Sequence, residues 1–266
     1  MKIIVYTSIA PNSLDRFPLK TSSINGWEIE NRPCKVTPQQ GLTEWMLGCW
    51  KEIIGKEQEE VILIFKHNDF EVLDEVNFLS QITGLIQNGS ADLIGVAGTV
   101  SFDPIQRKPN GSYLNWSEYE PTDQKAGLIM RSINGLDLWT FFGKPGLVKI
   151  IDGCCMVCSG RLAPKIENLL TPKFHRDWYD LSFSYNAFKA GFKVYVINSL
   201  VRHESGGEFG LNWLKEGHEF FAHFSQPESV SDAEALTPEV KITEPESQNG
   251  HSDQLRPEGE AGTESA

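Results

Sequence analysis

Long apolar runs are missing from this chain. After Lys2 only Ile3 to Val5 are unbroken apolar residues, too few for the core of a signal peptide, and no stretch approaches the roughly 20 that cross a bilayer. The expectation is a protein without a signal peptide or transmembrane segment. Cysteine is scarce too. Cys34, Cys49, Cys154, Cys155 and Cys158 form an odd, unevenly spaced set, which argues against a disulfide framework and for a reducing compartment. Together these point to a cytoplasmic location. Positive charge is the third shortage. The formal net charge is -12; from Pro227 onward ten acidic residues face only Lys241 and Arg256, so that segment supplies -8 and the rest -4. A folded part so nearly balanced lacks the net basic face of a phosphate-backbone binder, which excludes nucleic acid as the main partner. Aromatic residues, finally, stop at Phe224. From Ser225 onward Glu, Ser, Pro and Gly dominate, and such a segment buries too little apolar surface to offset the entropy of ordering. Residues 225–266 are expected to be a disordered acidic tail on a domain spanning 1–224.

What remains is rich enough to fold. With 40% hydrophobic and 11% aromatic residues the chain can build a sizeable core. Lys2 to Ile9 reads as a buried strand ended by Pro11 and Asn12. The polar loop after it, with Pro18, Gly26 and Pro33, has no regular pattern. Leu42, Trp45, Met46, Cys49 and Ile53 fall at helical spacing within Gln39 to Ile54, and Gly55 ends that helix. Val61 to Phe65 is a continuous apolar strand of the kind buried on both faces. A helix from about Asp74 to Gln87 stops at Asn88-Gly89, and Leu93 to Ala97 is the next strand. Between Ser101 and Lys144, turn signals at Asn110-Gly111, Pro121 and Asn134-Gly135 interrupt a segment crowded with Tyr113, Trp116, Tyr119, Trp139, Phe141 and Phe142. Leu147 to Ile151 and Cys154 to Val157 read as strand around an Asp152-Gly153 break. Arg161 to Leu170, Asp180 to Ala190 and Phe209 to Phe224 read as helices, and Phe192 to Ile197 as strand. Strand and helix alternate, which predicts an α/β domain with parallel-type strands. Open sheets of that type bind ligands beyond the carboxyl ends of their strands, so polar residues there come first.

Three polar clusters qualify. His67-Asn68-Asp69 follows the Val61 strand, where a carboxylate could hold Mg²⁺ or Mn²⁺ through oxygen; a polar loop start explains the same tripeptide. Phe174 to Asp180 opens a helix. Capping and the helix dipole account for Asp177 there, while Trp178 and Tyr179 could desolvate Asp180 and make it a better base. His203, in Val201-Arg202-His203-Glu204, again lies just beyond a strand, as a metal or phosphate contact or as an ordinary surface-loop histidine. Cys155-x-x-Cys158 lacks the second ligand pair of a structural zinc site, and the two cysteines read better as small buried hydrophobes.

In order and spacing these clusters match a known pattern. Val61 to Asp69 resembles the "hydrophobic strand, then HND" variant of the DxD motif in family 2-like glycosyltransferases, in the group named for a streptomycin-biosynthesis protein. Val96-Ala97-Gly98-Thr99 is similar to that group's strand-ending GVAG. Ile150 to Met156 with Ser159-Gly160-Arg161 resembles its VDGxxM…R stretch, Phe174 to Gly191 its FDExFxFYDxDxxLRAxxxG, and Val194 to His203 its VxVxxxxxxH. The resemblance runs over about residues 1 to 210. It departs in two places: His67 stands at the first acidic position of DxD, and Ser182 stands where the group has a second Asp. No QxxRW occurs, so a processive polysaccharide synthase is not expected.

The resemblance implies a GT-A-type fold, a mostly parallel central sheet flanked by helices, that moves a sugar from a nucleotide-diphosphate donor to an acceptor hydroxyl with inversion. Asp69 and His203 would hold Mn²⁺ or Mg²⁺ against the diphosphate; Thr7 and Ser8 would lie beside the nucleotide. Asp152 and Gly153 would border the donor sugar, and Asp180 would be the base. The acceptor, whether glycan, lipid-linked or small molecule, is not specified; the aromatic 101–144 segment suits its side of the site, although those rings serve equally well as core. Two other readings stand beside this one. A nucleotidyltransferase shares the nucleotide-binding logic, but Ala10 to Arg16 lacks the glycine-rich basic loop it uses for a triphosphate. A non-catalytic nucleotide-sugar or glycan-binding module would keep the fold without the chemistry.

Overall fold

A computed structural model describes residues 1–37, 40–53, 61–102, 122–133, 136–174, 177–204 and 210–224. The strands in chain order are β1 (Lys2–Ile9), β2 (Ser23–Ile24), β3 (Trp27–Lys35), β4 (Val61–His67), β5 (Phe70–Val72), β6 (Leu93–Gly95) and β7 (Ala97–Thr99), then β8 (Lys125–Ile133), β9 (Leu136–Gly143), β10 (Gly146–Leu147), β11 (Ile150–Ile151), β12 (Cys155–Ser159), β13 (Val194–Val196) and β14 (Val201–His203). The helices are α1 (Gly41–Lys51), α2 (Glu75–Gln87), the single turn α3 (Ile166–Leu169), α4 (Tyr179–Lys189) and α5 (Leu211–Phe224). The expected tail, 225–266, lies outside the described residues.

Two sheets share the strands. The larger has the order β10-β13-β6-β12-β4-β1-β3-β2, the smaller β11-β7-β8-β14-β5 with β9 added to β8. At the heart of the larger sheet, Ile3 to Tyr6 of β1 and Ile62 to Phe65 of β4 are buried, as apolar strands covered on both faces must be. The chain leaves the larger sheet after β6 and joins the smaller at β7, with buried Val96 as the only residue between.

The mostly parallel GT-A-type sheet expected above is not what the chain builds. β1 does run parallel to β3 and β4, and β6 to β13. Between β4 and β6, however, β12 runs antiparallel to both, and β10 and β2 add antiparallel edges. In the smaller sheet only β8 with β14 is parallel; β11–β7, β7–β8, β8–β9 and β14–β5 are antiparallel. The connections explain it. A parallel neighbour needs a crossover of a dozen or more residues, whereas β8 is separated from β9 in sequence by only Asn134 and Gly135. The result is a mixed, sheet-rich α/β architecture.

The helices follow local chemistry more closely. α2 begins where Asp74 accepts a hydrogen bond from the Asn77 amide (3.1 Å) and ends before Asn88 and Gly89, the latter at φ +69°. It buries Phe78, Leu79 and Ile82. α4 ends before Gly191, at φ +83°. The stretch from Arg161 to Leu170, expected as one helix, forms a 3₁₀ turn over Ala163–Lys165, with Pro164 inside it, followed by the single turn α3.

Candidate functional site

β4 ends at His67, and the chain turns through Asn68 and Asp69 straight into β5. Because β5 pairs antiparallel with β14, with Phe70 opposite His203, Asp69 is delivered beside His203 from far along the chain. Their side chains meet at 3.4 Å between Oδ1 and Nε2, and the Glu204 amide donates to the Asp69 carbonyl at 3.1 Å. The Asn68 side chain accepts from the Arg16 amide (2.9 Å), while the Arg16 guanidinium pairs with Glu204 at 2.6 Å, tying the loop after β1 to the same turn. His67 joins this group. Its ring lies 5.7 Å from that of His203, and one ligand atom from each of His67, Asp69 and His203 falls within 4.8 Å of the others.

The start of α4 supplies a second polar group. Trp178, just ahead of the helix, is held at φ +63°, a left-handed conformation that costs a bulky residue about 1–3 kcal/mol. α5 holds it there. The Trp178 indole N–H donates to the Trp213 carbonyl (2.9 Å), and its ring packs at 5.0 Å from the rings of both Trp213 and Phe220. From that corner Tyr179 and Asp180 reach the Asp152-Gly153 turn between β11 and β12. The Gly153 amide donates to Asp180 Oδ2 at 2.7 Å, the Leu181 amide to Oδ1 at 2.9 Å, and the Tyr179 hydroxyl to the Gly153 carbonyl at 3.1 Å. Tyr179 is also 3.0 Å from His67 Nε2, which joins the two polar groups into one. Glycine is required at 153, since an added Cβ would sit 2.8 Å from Asp180 Cβ.

Electrostatics sets the groups apart from ordinary surface residues. Burial, and then the neighbouring Asp152 carboxylate, push the Asp180 pKa up to about 7, against the pull of its backbone donors. Burial and then His203 bring His67 down to about 4. Burial also raises Tyr179 well above the usual phenol range. At neutral pH, His67 is a neutral imidazole and Asp180 is divided between its two forms.

Of the residues singled out from sequence, Asp69 and His203 are thus in contact, and Asp152, Gly153 and Asp180 form a second contact group. Thr7 and Ser8 lie near the end of β1, with Ser8 opposite His67 in the β1–β4 register. Thr7 is fully buried with its hydroxyl donating to Asp15 (3.0 Å), and Ser8 donates to the Lys66 carbonyl at 3.5 Å. Sequence reasoning passed over His67 because the motif wants an acid there, and gave Tyr179 no role beyond desolvating Asp180; the strand-end position of His67 was the available signal. Of the aromatic 101–144 rings, Tyr113, Trp116 and Tyr119 lie outside the described residues. Phe142 is core, while Trp139 and Phe141 are 49% and 62% exposed. A separate cavity of about 340 Å³, walled by Val100, Asp123, Phe141, Lys144 and Leu147 among others, includes none of the predicted site residues. Among the described residues no helix is long and apolar enough to cross a membrane.

No family model matches the chain, and no curated protein matches it. Among solved structures, the crystal structure of A197 from STIV is similar over 75% of this chain and 83% of that one, at 12% identity and a TM-score of 0.41. At that score the likeness carries no functional weight.

Proposed function

We propose that the chain is a metal-dependent glycosyltransferase that moves a sugar from a nucleotide-diphosphate donor to an acceptor hydroxyl with inversion. The observation that carries this reading is the meeting of Asp69 and His203, two residues remote in sequence, with Asp180 linked to them through Tyr179 and His67. The donor set fits a divalent cation: His67, Asp69 and His203 offer a carboxylate oxygen and two imidazole nitrogens in one cluster. Such an ion, Mn²⁺ or Mg²⁺, supplies positive charge against the leaving diphosphate. The protein's own part is proton transfer and placement. Asp180, with a pKa near neutrality, accepts the acceptor hydroxyl's proton as that oxygen attacks the anomeric carbon. Gly153 lets the Asp152 turn close on Tyr179 and Asp180, where a side chain would clash, and so helps hold the base in place. The exposed Trp139 and Phe141 offer apolar faces suited to an acceptor.

The test is release of UDP or GDP from a panel of nucleotide sugars with Mn²⁺ present, together with calorimetric titration of the same donors. Asp69→Ala should abolish donor binding; an unchanged titration overturns the reading. Donor binding without release of nucleotide in any acceptor mixture would leave a binding module instead of an enzyme.

A further inference from the structure

We infer that His67 is the third ligand of the cation site, binding through Nδ1, and that its imidazole turns the site toward first-row transition ions and away from Mg²⁺; this rests on the cation reading above. The reasoning starts from protons. Tyr179 has one O–H, 3.1 Å from the Gly153 carbonyl oxygen and 3.0 Å from His67 Nε2. A carbonyl oxygen can only accept. The phenol proton therefore goes to Gly153, since otherwise two oxygens would face each other with no proton between them. That leaves the phenol oxygen as an acceptor, so His67 Nε2 carries the ring proton and the lone pair sits on Nδ1. Metal-ligating histidines generally donate their second N–H to an oxygen that fixes tautomer and ring orientation. Tyr179, 3% exposed and anchored on the Gly153 backbone, does this for His67.

The ligand set follows. Two imidazoles and one carboxylate replace the more oxygen-rich set that an acid at position 67 would give. Mg²⁺ takes oxygen ligands and sheds water reluctantly, whereas imidazole suits the later first-row ions. The expected order of affinity is Zn²⁺ and Co²⁺ above Mn²⁺, with Mg²⁺ last.

The test uses the full chain and metal ions alone. Mn²⁺ binding is followed by loss of the free-ion EPR signal, with Mg²⁺, Co²⁺ and Zn²⁺ titrated as competitors. Wild type is compared with His67→Asp, His67→Ala, Asp69→Ala and Tyr179→Phe; the acidic residues of 225–266 are common to all, so differences report the site. Co²⁺ should displace Mn²⁺ at concentrations at least about tenfold below those of Mg²⁺, and His67→Asp should narrow that gap. His67→Ala should weaken the Co²⁺ preference as well, which keeps the test intact if the Asp variant fails to fold. Tyr179→Phe should weaken Co²⁺ binding about 10–100-fold. Imidazole nitrogen NMR of the metal-free wild type should show His67 Nδ1 unprotonated. The inference is overturned if Mg²⁺ competes as well as Co²⁺, if both His67 variants keep the full wild-type gap between Co²⁺ and Mg²⁺, or if Nδ1 carries the proton. Mn²⁺ binding that depends on Asp69 but shows no such preference removes this inference alone. No Mn²⁺ binding, or binding indifferent to Asp69→Ala, removes the cation reading with it.

Discussion

Lys66 and His67 are neighbours on β4 and point to opposite faces of the sheet, and the two faces treat polar groups differently. On one face the Lys66 side chain, 1% exposed, lies 3.4 Å from Asp15 Oδ1, and Asp15 also accepts from the Thr7 hydroxyl (3.0 Å) and the Phe17 amide (3.2 Å). Burial pulls the Lys66 pKa down and Asp15 opposes it. Opposite charges meet, and the network closes on itself. On the other face like meets like: His67 faces His203, and Asp180 faces Asp152. There His203 and Asp152 add to burial and favour the neutral forms of His67 and Asp180, although Asp69 and Asp152 oppose this at His67 and backbone donors oppose it at Asp180. On the proposed reading the first cluster serves the fold and the second awaits a ligand. The two faces can be told apart by what breaks when each is altered.

The largest effect belongs to Asp180. Transfer should rise with pH up to about 7 as the carboxylate forms, and Asp180→Asn should lower it about 10²–10⁴-fold while donor binding persists. Stability runs the other way. The folded state holds the Asp180 proton up to about 7, whereas the ordinary carboxyl releases it near 3.8, so the folded form binds more protons between those values. Its contribution is therefore full below 3.8 and lost as pH rises through about 7. Asp180→Asn should flatten that part of a plot of Tm against pH. Transfer at the wild-type rate, or an unchanged slope, removes Asp180 from the under-compensated face.

Lys66 should behave in the opposite way. Lys66→Met leaves Asp15 buried without its cation, which costs about 3–5 kcal/mol by urea denaturation. Adding Asp15→Leu should restore much of that loss, because the charge left behind is what destabilises. Mn²⁺ binding per folded molecule should not change. If Lys66→Met instead spares stability and removes Mn²⁺ binding, the distinction between the two faces fails.

Much of this was legible in the sequence, and the failures have physical causes. Asp74 and Asn88-Gly89 bound α2 because caps are local chemistry, and β1 and β4 announce themselves by apolar runs. β3 was hidden because it is polar and contains Pro33, tolerated where, among the described residues, β3 has only β1 as a neighbour, β2 covering just Trp27 and Glu28. Leu93 to Ala97 looked like one strand, yet it is divided between two sheets at Val96, and no residue pattern encodes which neighbour a strand will find. The same holds for the site. The strand-end positions of Asp69 and His203 could be read, but the β5–β14 register that joins them, and the hydrogen bond that draws His67 in, are long-range facts.

Gly153 sharpens the comparison at intermediate size. Gly153→Ala drives a methyl group against Asp180 Cβ and the Tyr179 hydroxyl, an overpacking cost of about 1–3 kcal/mol. Since both neighbours belong to the proposed machinery, transfer should fall by more than the stability change explains. Chemical denaturation and transfer assays on the same preparation separate the two.

The smallest effect lies away from both faces, where like again meets like. Cys34 on β3 and Cys49 on α1 are both free thiols, with sulfurs 3.9 Å apart. The hydrogen bond between the two sulfurs brings the Cys34 pKa down to about 7 against the effect of burial, and the same pairing raises Cys49. One partner gains thiolate character because the other keeps its proton. At pH 7 Cys34 should alkylate with iodoacetamide ahead of the other four cysteines, which mass spectrometry of the labelled peptides will show. Cys49→Ala should slow that labelling roughly fivefold, the gain in thiolate being partly offset by the weaker nucleophilicity of a low-pKa sulfur. Equal rates in the variant would mean that the Cys34 environment owes nothing to its partner, and that proximity of like groups shifts titration in this protein only at the proposed cation site.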